Sequence, residues 1–181
     1  MITKNCKTAK LCAKYLCYLE RYMEKLYKIS VFLHILGFAF WAGGMMFVSF
    51  IIRPAIQKIE SYPAILEKIA VHFSKITWFF IFPLMLITGF VNAYARTGTI
   101  NPFLWSEQTN GKYIVLKLHL FFLIIIVSAI HDFWVGPKAV KLMREGKTGS
   151  MRKISGIVGR INFILAMLML IFGISIVRGC L

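Results

Sequence analysis

Carboxylates are nearly missing from this chain. Only 7 Asp and Glu stand against 22 Lys and Arg in 181 residues, and the long apolar runs between the charges hold a single acid, Asp132. That scarcity removes the paired carboxylates on which most hydrolases rely, and with them a carboxylate proton relay. Cysteine offers no framework either. Cys6, Cys12 and Cys17 crowd one lysine-rich tail, Cys180 is next to last, and no CxxC pair occurs. Cys12 and Cys17 would sit about 140° apart around a helix and not converge on one ion. Glycine-rich phosphate loops and the GxSxG nucleophile signature are also lacking.

What is present is apolar. Hydrophobic residues make up 59% of the chain and charged ones 16%, and the mean hydropathy is +0.72, too apolar for a water-covered surface. A spanning helix needs about 20 mostly apolar residues, and four runs qualify. Their helices are expected at about 29–52, 65–95, 112–135 and 154–178, the second opening with Ser61 and Pro63 as N-cap and first-turn proline. Gly136-Pro137 is expected to stop the third. Short connections between consecutive spans favour antiparallel neighbours. The fold class is therefore all-α: an integral membrane four-helix up-down bundle over residues 29–181, multi-pass, in the inner membrane if the source is bacterial.

The formal charge of +15 lies between apolar runs and not on a basic face, which argues against nucleic acid and for anionic lipid headgroups as partner. Residues 1–28 carry seven Lys and Arg and cannot span. Leu11, Tyr15, Leu19, Tyr22 and Leu26 recur at helical spacing beside the lysines, the pattern of an amphipathic interfacial helix; a solvated helix docked on another membrane subunit fits equally. The positive-inside count gives 11 Lys and Arg on each side and so does not orient the bundle. The segment 97–111 holds no Lys or Arg, which favours its lying outside.

Four histidines, His34, His72, His119 and His131, all fall in or at a span, where ionisable groups mark function. His34 lies 6 residues past Lys28 and His119 7 past Lys112, about 9 and 10 Å along parallel helices. Equal depth on diagonal helices suits a haem held by two imidazoles in the bundle core. His72 and His131 lie near the opposite face and are candidates for a second haem or metal. Against this, His119 and His131 point about 120° apart, and His131 has Asp132 beside it as a simpler partner. Arg53, Arg96, Arg160 and Lys117 are candidate partners for haem propionates or ordinary snorkelling anchors. Met45-Met46 and Met167/Met169 are candidate soft ligands for Cu(I), or apolar filler.

Leu33-His34-Ile35-Leu36-Gly37, Trp41-Ala42-Gly43-Gly44-Met45-Met46-Phe47 and Arg53-Pro54 resemble the first helix of the CopD-like family of small four-helix membrane proteins, which is associated with copper resistance or import. The spacing from His34 to Trp41 to Gly43-Gly44 is similar to that of the HemJ type of protoporphyrinogen oxidase, a relative that binds haem b through a histidine of this helix. His34 is the matching position. Gly111-Lys112-Tyr113 through Leu116-Lys117 to His131 is similar to the "Lys, apolar stretch, His" segment of both groups, so His131 carries over with a longer interval; His119 is not assigned by the resemblance. The histidine placement together with this resemblance leads to the expectation of a b-type haem protein, with one or two haems, transferring electrons within the membrane, with quinone as a candidate partner. The alternatives are a copper transport or resistance protein, porphyrinogen oxidation, and an accessory subunit of a respiratory complex. The lysine tail and the His131 to Lys138 ending depart from the family pattern.

Overall fold

Long apolar runs without breaks become helices because lipid offers the backbone no hydrogen bonds of its own. A computed structural model describes residues 3–107, 111–147 and 149–178, and among the described residues every regular element is helical. Four helices are long and apolar enough to cross a membrane, over Arg21–Ile56, Tyr62–Thr97, Gly111–Arg144 and Lys153–Ser175. The protein is thus an integral, multi-pass, all-α membrane protein. Three of the four spans outrun the expected bounds, because hydropathy marks the lipid-covered stretch and not the helical turns beyond it. At one end, called here the tail end, lie the N-terminal tail and residues 98–107; at the other, the turn end, lie residues 57–61 and 145–147.

The tail and the first span share one α-helix, Thr3–Phe47, of 45 residues. No break marks residue 28. At 1.5 Å per residue it is about 68 Å long, twice the hydrocarbon thickness. Tyr18, Tyr22 and Leu26 are exposed; Leu11, Tyr15, Leu19, Cys6, Cys12 and Cys17 lie outside the described side chains, and Cys180 outside the described residues.

Proline shapes three spans in one way. Val48–Ile52, Thr77–Ile81 and His131–Val135 are π-helical turns in which Arg53, Phe82 and Gly136 donate their N–H to Val48 O, Thr77 O and His131 O, five residues back. The next residue in each case is Pro54, Pro83 or Pro137. Proline cannot donate and its ring collides with the carbonyl four residues earlier; one extra residue in the turn moves that carbonyl aside and keeps the ladder paired. Gly136-Pro137 therefore does not stop the third helix, contrary to the sequence expectation: Gly136 is right-handed helical and the helix runs on to Arg144. Beyond the hydrocarbon its end pairs with the start of the second span through Arg144 and Glu67. The second helix begins at Tyr62 with Pro63 in its first turn, as expected, although the Ser61 side chain makes no cap bond.

All four spans meet at a dry centre of Trp41, Ala42, Phe82, Phe121, Ile124, Leu165 and Ala166. Trp41 and Phe121 each meet Phe82 edge-on, at 5.7 and 6.0 Å. Lipid tails are as apolar as these side chains, so close packing, not escape from water, holds the spans together. Gly44 shows the fit, since a Cβ there would strike the Phe73 ring.

Candidate functional site: a cationic cavity around His34

Above the dry centre, at the tail end, the four spans part around a cavity of about 770 Å³. Met85 and Met169 stand on its walls, Phe121 and Phe38 toward its base, and Trp105 at its mouth. Trp105 comes from the connection after the second span. Gly98 ends that helix in the left-handed conformation, φ 71°, as a C-terminal glycine can. Asn101 then caps the short helix Pro102–Trp105 by accepting from Phe103 N–H, and Trp105 Nε1–H donates to Thr99 O at 2.9 Å. Trp105 is thereby seated against Phe90, with ring centroids 5.6 Å apart.

The polar side chains of the cavity are unusual for their sign. Lys28, Arg96 and Lys117 line it with His34 and Asn92 and, among the described residues, no carboxylate does; Lys28 Nζ pairs outside the lining with Glu24 Oε1 at 2.7 Å. A cationic, apolar-walled chamber in lipid is complementary to an anionic head on an apolar body. Asn92 Oδ1 is buried and has no hydrogen-bond partner among the described residues.

His34 is held in one state. Its Nδ1 is 2.9 Å from Thr88 Oγ1, and Thr88 commits its only hydroxyl proton to Leu84 O at 2.6 Å. The hydroxyl can then only accept, so Nδ1 carries the ring proton and Nε2 keeps its lone pair, the arrangement that orients a metal-ligating imidazole. Ser30 Oγ donates to Thr88 O at 3.2 Å and ties the same turn to the first span. Gly89 faces the ring: a Cβ there would lie 3.5 Å from His34 Cε1. Across the cavity Gly173 leaves similar room, since its Cβ would lie 3.4 Å from Lys117 Nζ.

The other histidines are elsewhere. His119 is exposed, with Nδ1 bonded to Val115 O at 2.8 Å, and does not line the cavity. The pairing of His34 with His119 by depth is corrected here: rise alone was matched, and two residues of rotation carry His119 about 200° from Lys117, which takes the inward position. Nor do His72 and His131 come together. His72 is exposed in a shallow dent with Glu67, Lys68 and Lys75. His131 Nδ1 bonds Asp132 Oδ1 at 3.0 Å, and its Nε2 lies 3.5 Å from Ser155 Oγ. Asp132 Oδ2 accepts from Ser74 Oγ at 2.5 Å and from Trp78 Nε1 at 3.1 Å, so the carboxylate braces the second span against the third. Among the described residues no three His, Cys, Asp or Glu side chains form a metal-holding group.

Of the four basic residues considered for propionates, Arg96 and Lys117 reach the cavity. Arg53 instead donates Nε–H to Tyr62 OH at 3.2 Å, and Arg160 lies by Gly156. Met45 Sδ is 4.0 Å from Asn162 Nδ2, whereas Met169 faces the cavity. Thr88, Gly89 and Met85 escaped the sequence reading; the signal was the row Thr88, Asn92 and Arg96, polar residues four apart on one face of an otherwise apolar helix.

Comparison with known proteins agrees with this architecture. The CopD family, copper resistance protein D, matches residues 67–177, which hold the second, third and fourth spans and leave His34 outside. A protein of Aquifex aeolicus (strain VF5), described as uncharacterized, is 29% identical over 153 residues, covering 84% of this chain and 96% of its own length. No solved structure matches. With the family's pattern extending over well over half of the chain and its spans forming one membrane bundle, this protein belongs to the CopD family of copper resistance membrane proteins.

Proposed function

We propose that the cavity holds a b-type haem with His34 Nε2 as an axial ligand, and that the protein transfers electrons within the membrane, with quinone among its partners. The observation that carries this reading is the locked imidazole: Thr88 holds the proton on Nδ1 and leaves the Nε2 lone pair uncommitted, on a residue that lines a chamber with cationic side chains and apolar walls. The residues present fit the group. Lys28, Arg96 and Lys117 suit two propionates, and the Met85 and Met169 thioethers are candidate second ligands in place of His119. Bound haem supplies a one-electron couple. The protein holds Nε2 unprotonated, closes the base of the chamber with Phe121 and Phe38, and presents cations where carboxylates would lie.

The same ligands favour a second reading, a Cu(I) site. Imidazole and two thioethers make a soft donor set, and the family's description names copper. One preparation separates the two. Full-length protein made with haem present is expected to show a reduced-minus-oxidised b-type spectrum, lost in His34→Ala and kept in His119→Ala. A colourless parent that takes up one Cu(I) through His34, Met85 and Met169 would replace haem by copper.

A further inference from the structure

Below the dry centre the spanning helices carry a polar level. One helical turn from Trp41, Ile124 and Ala166 toward the turn end stand Met45, Ser128 and Asn162, and one π turn before Phe82 stands Thr77. Thr77, Ser128 and Asn162 are 2%, 3% and 6% exposed. Ser128 Oγ accepts from Asn162 Nδ2 at 2.8 Å. Asn162 Oδ1 and Thr77 Oγ1, however, have no hydrogen-bond partner among the described residues. Turning the Asn162 amide over exchanges its two ends and still leaves one of them unserved. In lipid such an atom has no bulk solvent to fall back on, so its partner lies inside the protein. One turn further on, the polar groups resume. His131 follows Ser128 by three residues, Gly159 precedes Asn162 by three, and the two face each other. Apart from its own backbone, a Cβ on Gly159 would meet one atom within 4 Å, His131 Nε2 at 4.0 Å. Ser155 Oγ reaches the same nitrogen at 3.5 Å, beyond the usual length of a direct bond. Asp132 then carries the hydrogen bonds on from His131 to Ser74 and Trp78.

We infer that internal water occupies the room beside Gly159 and extends from His131 and Ser155 to Asn162, a half-channel that brings the turn-end solution to within one helical turn of the dry centre. The site is separate from the cavity, and nothing in it depends on what the cavity holds. The polar atoms select water. Asn162 Oδ1 only accepts, and His131 Nε2 keeps its lone pair because Nδ1–H is given to the Asp132 carboxylate; the Ser155 and Thr77 hydroxyls take either role. A molecule with two hydrogens and two lone pairs serves all of these. A soft ion such as Cu(I) would engage Met45 Sδ and leave the amide oxygen unserved. A hard cation would find both Asp132 oxygens already accepting from His131, Ser74 and Trp78. Filling comes from the turn end, where the His131 and Asp132 side chains are 33% and 20% exposed. Phe82, Phe121, Ile124, Leu165 and Ala166 carry no polar side-chain atom, so the water ends below them. Water, and with it protons, thereby reaches the middle of the bundle from one face only.

The test is brief X-ray radiolysis of full-length protein in lipid nanodiscs, in which hydroxyl radicals form from bound water and oxidise the side chains beside it, followed by mass-spectrometric mapping. Two neighbouring methionines provide the contrast. Met45 Sδ lies 4.0 Å from Asn162 Nδ2, whereas Met46 is 41% exposed on the outer surface of the span and sets the background for a methionine in lipid. Oxidation is expected at Met45 and His131, with Met46 at background. Gly159→Ala places a methyl in the room beside His131, and Asn162→Leu removes the amide. Each is expected to bring Met45 down to the Met46 level. Circular dichroism checks that the helices are kept; should Asn162→Leu fail to fold, Gly159→Ala, whose added Cβ makes only an ordinary contact, carries the comparison alone. Met45 oxidised no more than Met46 in the parent overturns the inference. Oxidation of Met45 that is unchanged in the folded variants overturns it too, since the radicals would then come from water elsewhere.

Discussion

Thr88→Val is the sharpest single perturbation of the site. Valine keeps the shape of threonine in a position that is almost fully buried, so packing is preserved and only the hydroxyl is lost. That hydroxyl makes two bonds, one from His34 Nδ1 at 2.9 Å and one to Leu84 O at 2.6 Å. The second is expendable, because Leu84 O also receives the Thr88 backbone N–H as an ordinary helical acceptor. The first is not. Without it the ring loses its side-chain acceptor and keeps only the backbone of Met85 as a partner, so the imidazole is freer to turn or to move its proton to Nε2, which abolishes the lone pair the proposed ligand role depends on. Loss of such an orienting partner typically costs 10- to 100-fold in ligand affinity, about 1.4 to 2.7 kcal/mol. Haem-loaded protein in detergent, mixed with excess apomyoglobin, is expected to lose its haem 10- to 100-fold faster in Thr88→Val than in the parent. Thr88→Ser, which retains the hydroxyl, is expected to restore most of the retention. Equal rates in parent and Val variant would refute the role given to Thr88, and an equal defect in Ser and Val would make the effect one of packing.

Further outcomes follow from other contacts. Asp132→Leu removes the acceptor of Ser74, Trp78 and His131; at about 1–3 kcal/mol for each donor left unpaired, thermal unfolding in detergent is expected several degrees lower, with Asp132→Asn between it and the parent. Gly44→Leu places its Cβ on the Phe73 ring and is expected to cost about 1–3 kcal/mol, while Gly43→Ala, which meets nothing within 4 Å, is expected to leave the melting temperature unchanged. A peptide of residues 1–28 is expected to gain helicity on vesicles of anionic lipid and to lose it as salt is added; a circular dichroism spectrum indifferent to such vesicles would point to docking on a protein.

Four spans were readable because lipid imposes one strong rule, an apolar run of sufficient length, and Lys28, Lys75, Lys112 and Lys153 bracket such runs plainly. Where the helices end was not readable, since beyond the hydrocarbon helical turns need no apolar residues: the third span continues through Lys138 and Lys141 to Arg144. His34 was legible as a candidate because a histidine six residues into an apolar run is rare and its sequence neighbours resemble a known helix, and the structure places it on the cavity wall. His119 misled because height along a helix is a property of sequence spacing, whereas azimuth depends on which face the partners cover. Lys117 shows the same lesson reversed, a residue whose sequence position fitted a propionate partner and an ordinary anchor alike, and which the packing turns inward. Thr88 was invisible for another reason: its importance lies in a bond to a side chain 54 positions away, and no local pattern records that.

The three π-helical turns bear on how sequences of this kind are compared. Each contributes one residue beyond the α-helical count, so everything after it is rotated by about 100° relative to a wheel drawn straight through. On the third span the shift falls between Ser128, which accepts from Asn162 Nδ2 at 2.8 Å, and Ala139 and Val140, which are buried; an unbroken wheel would misassign their faces. The proline is the visible mark of this phase change. A homologue that lacks Pro137 and is shorter by one residue near 131–135 would keep the same inward faces above and below with an ordinary α-helix, and a gap of one residue in an alignment at that point would record conserved geometry, not divergence.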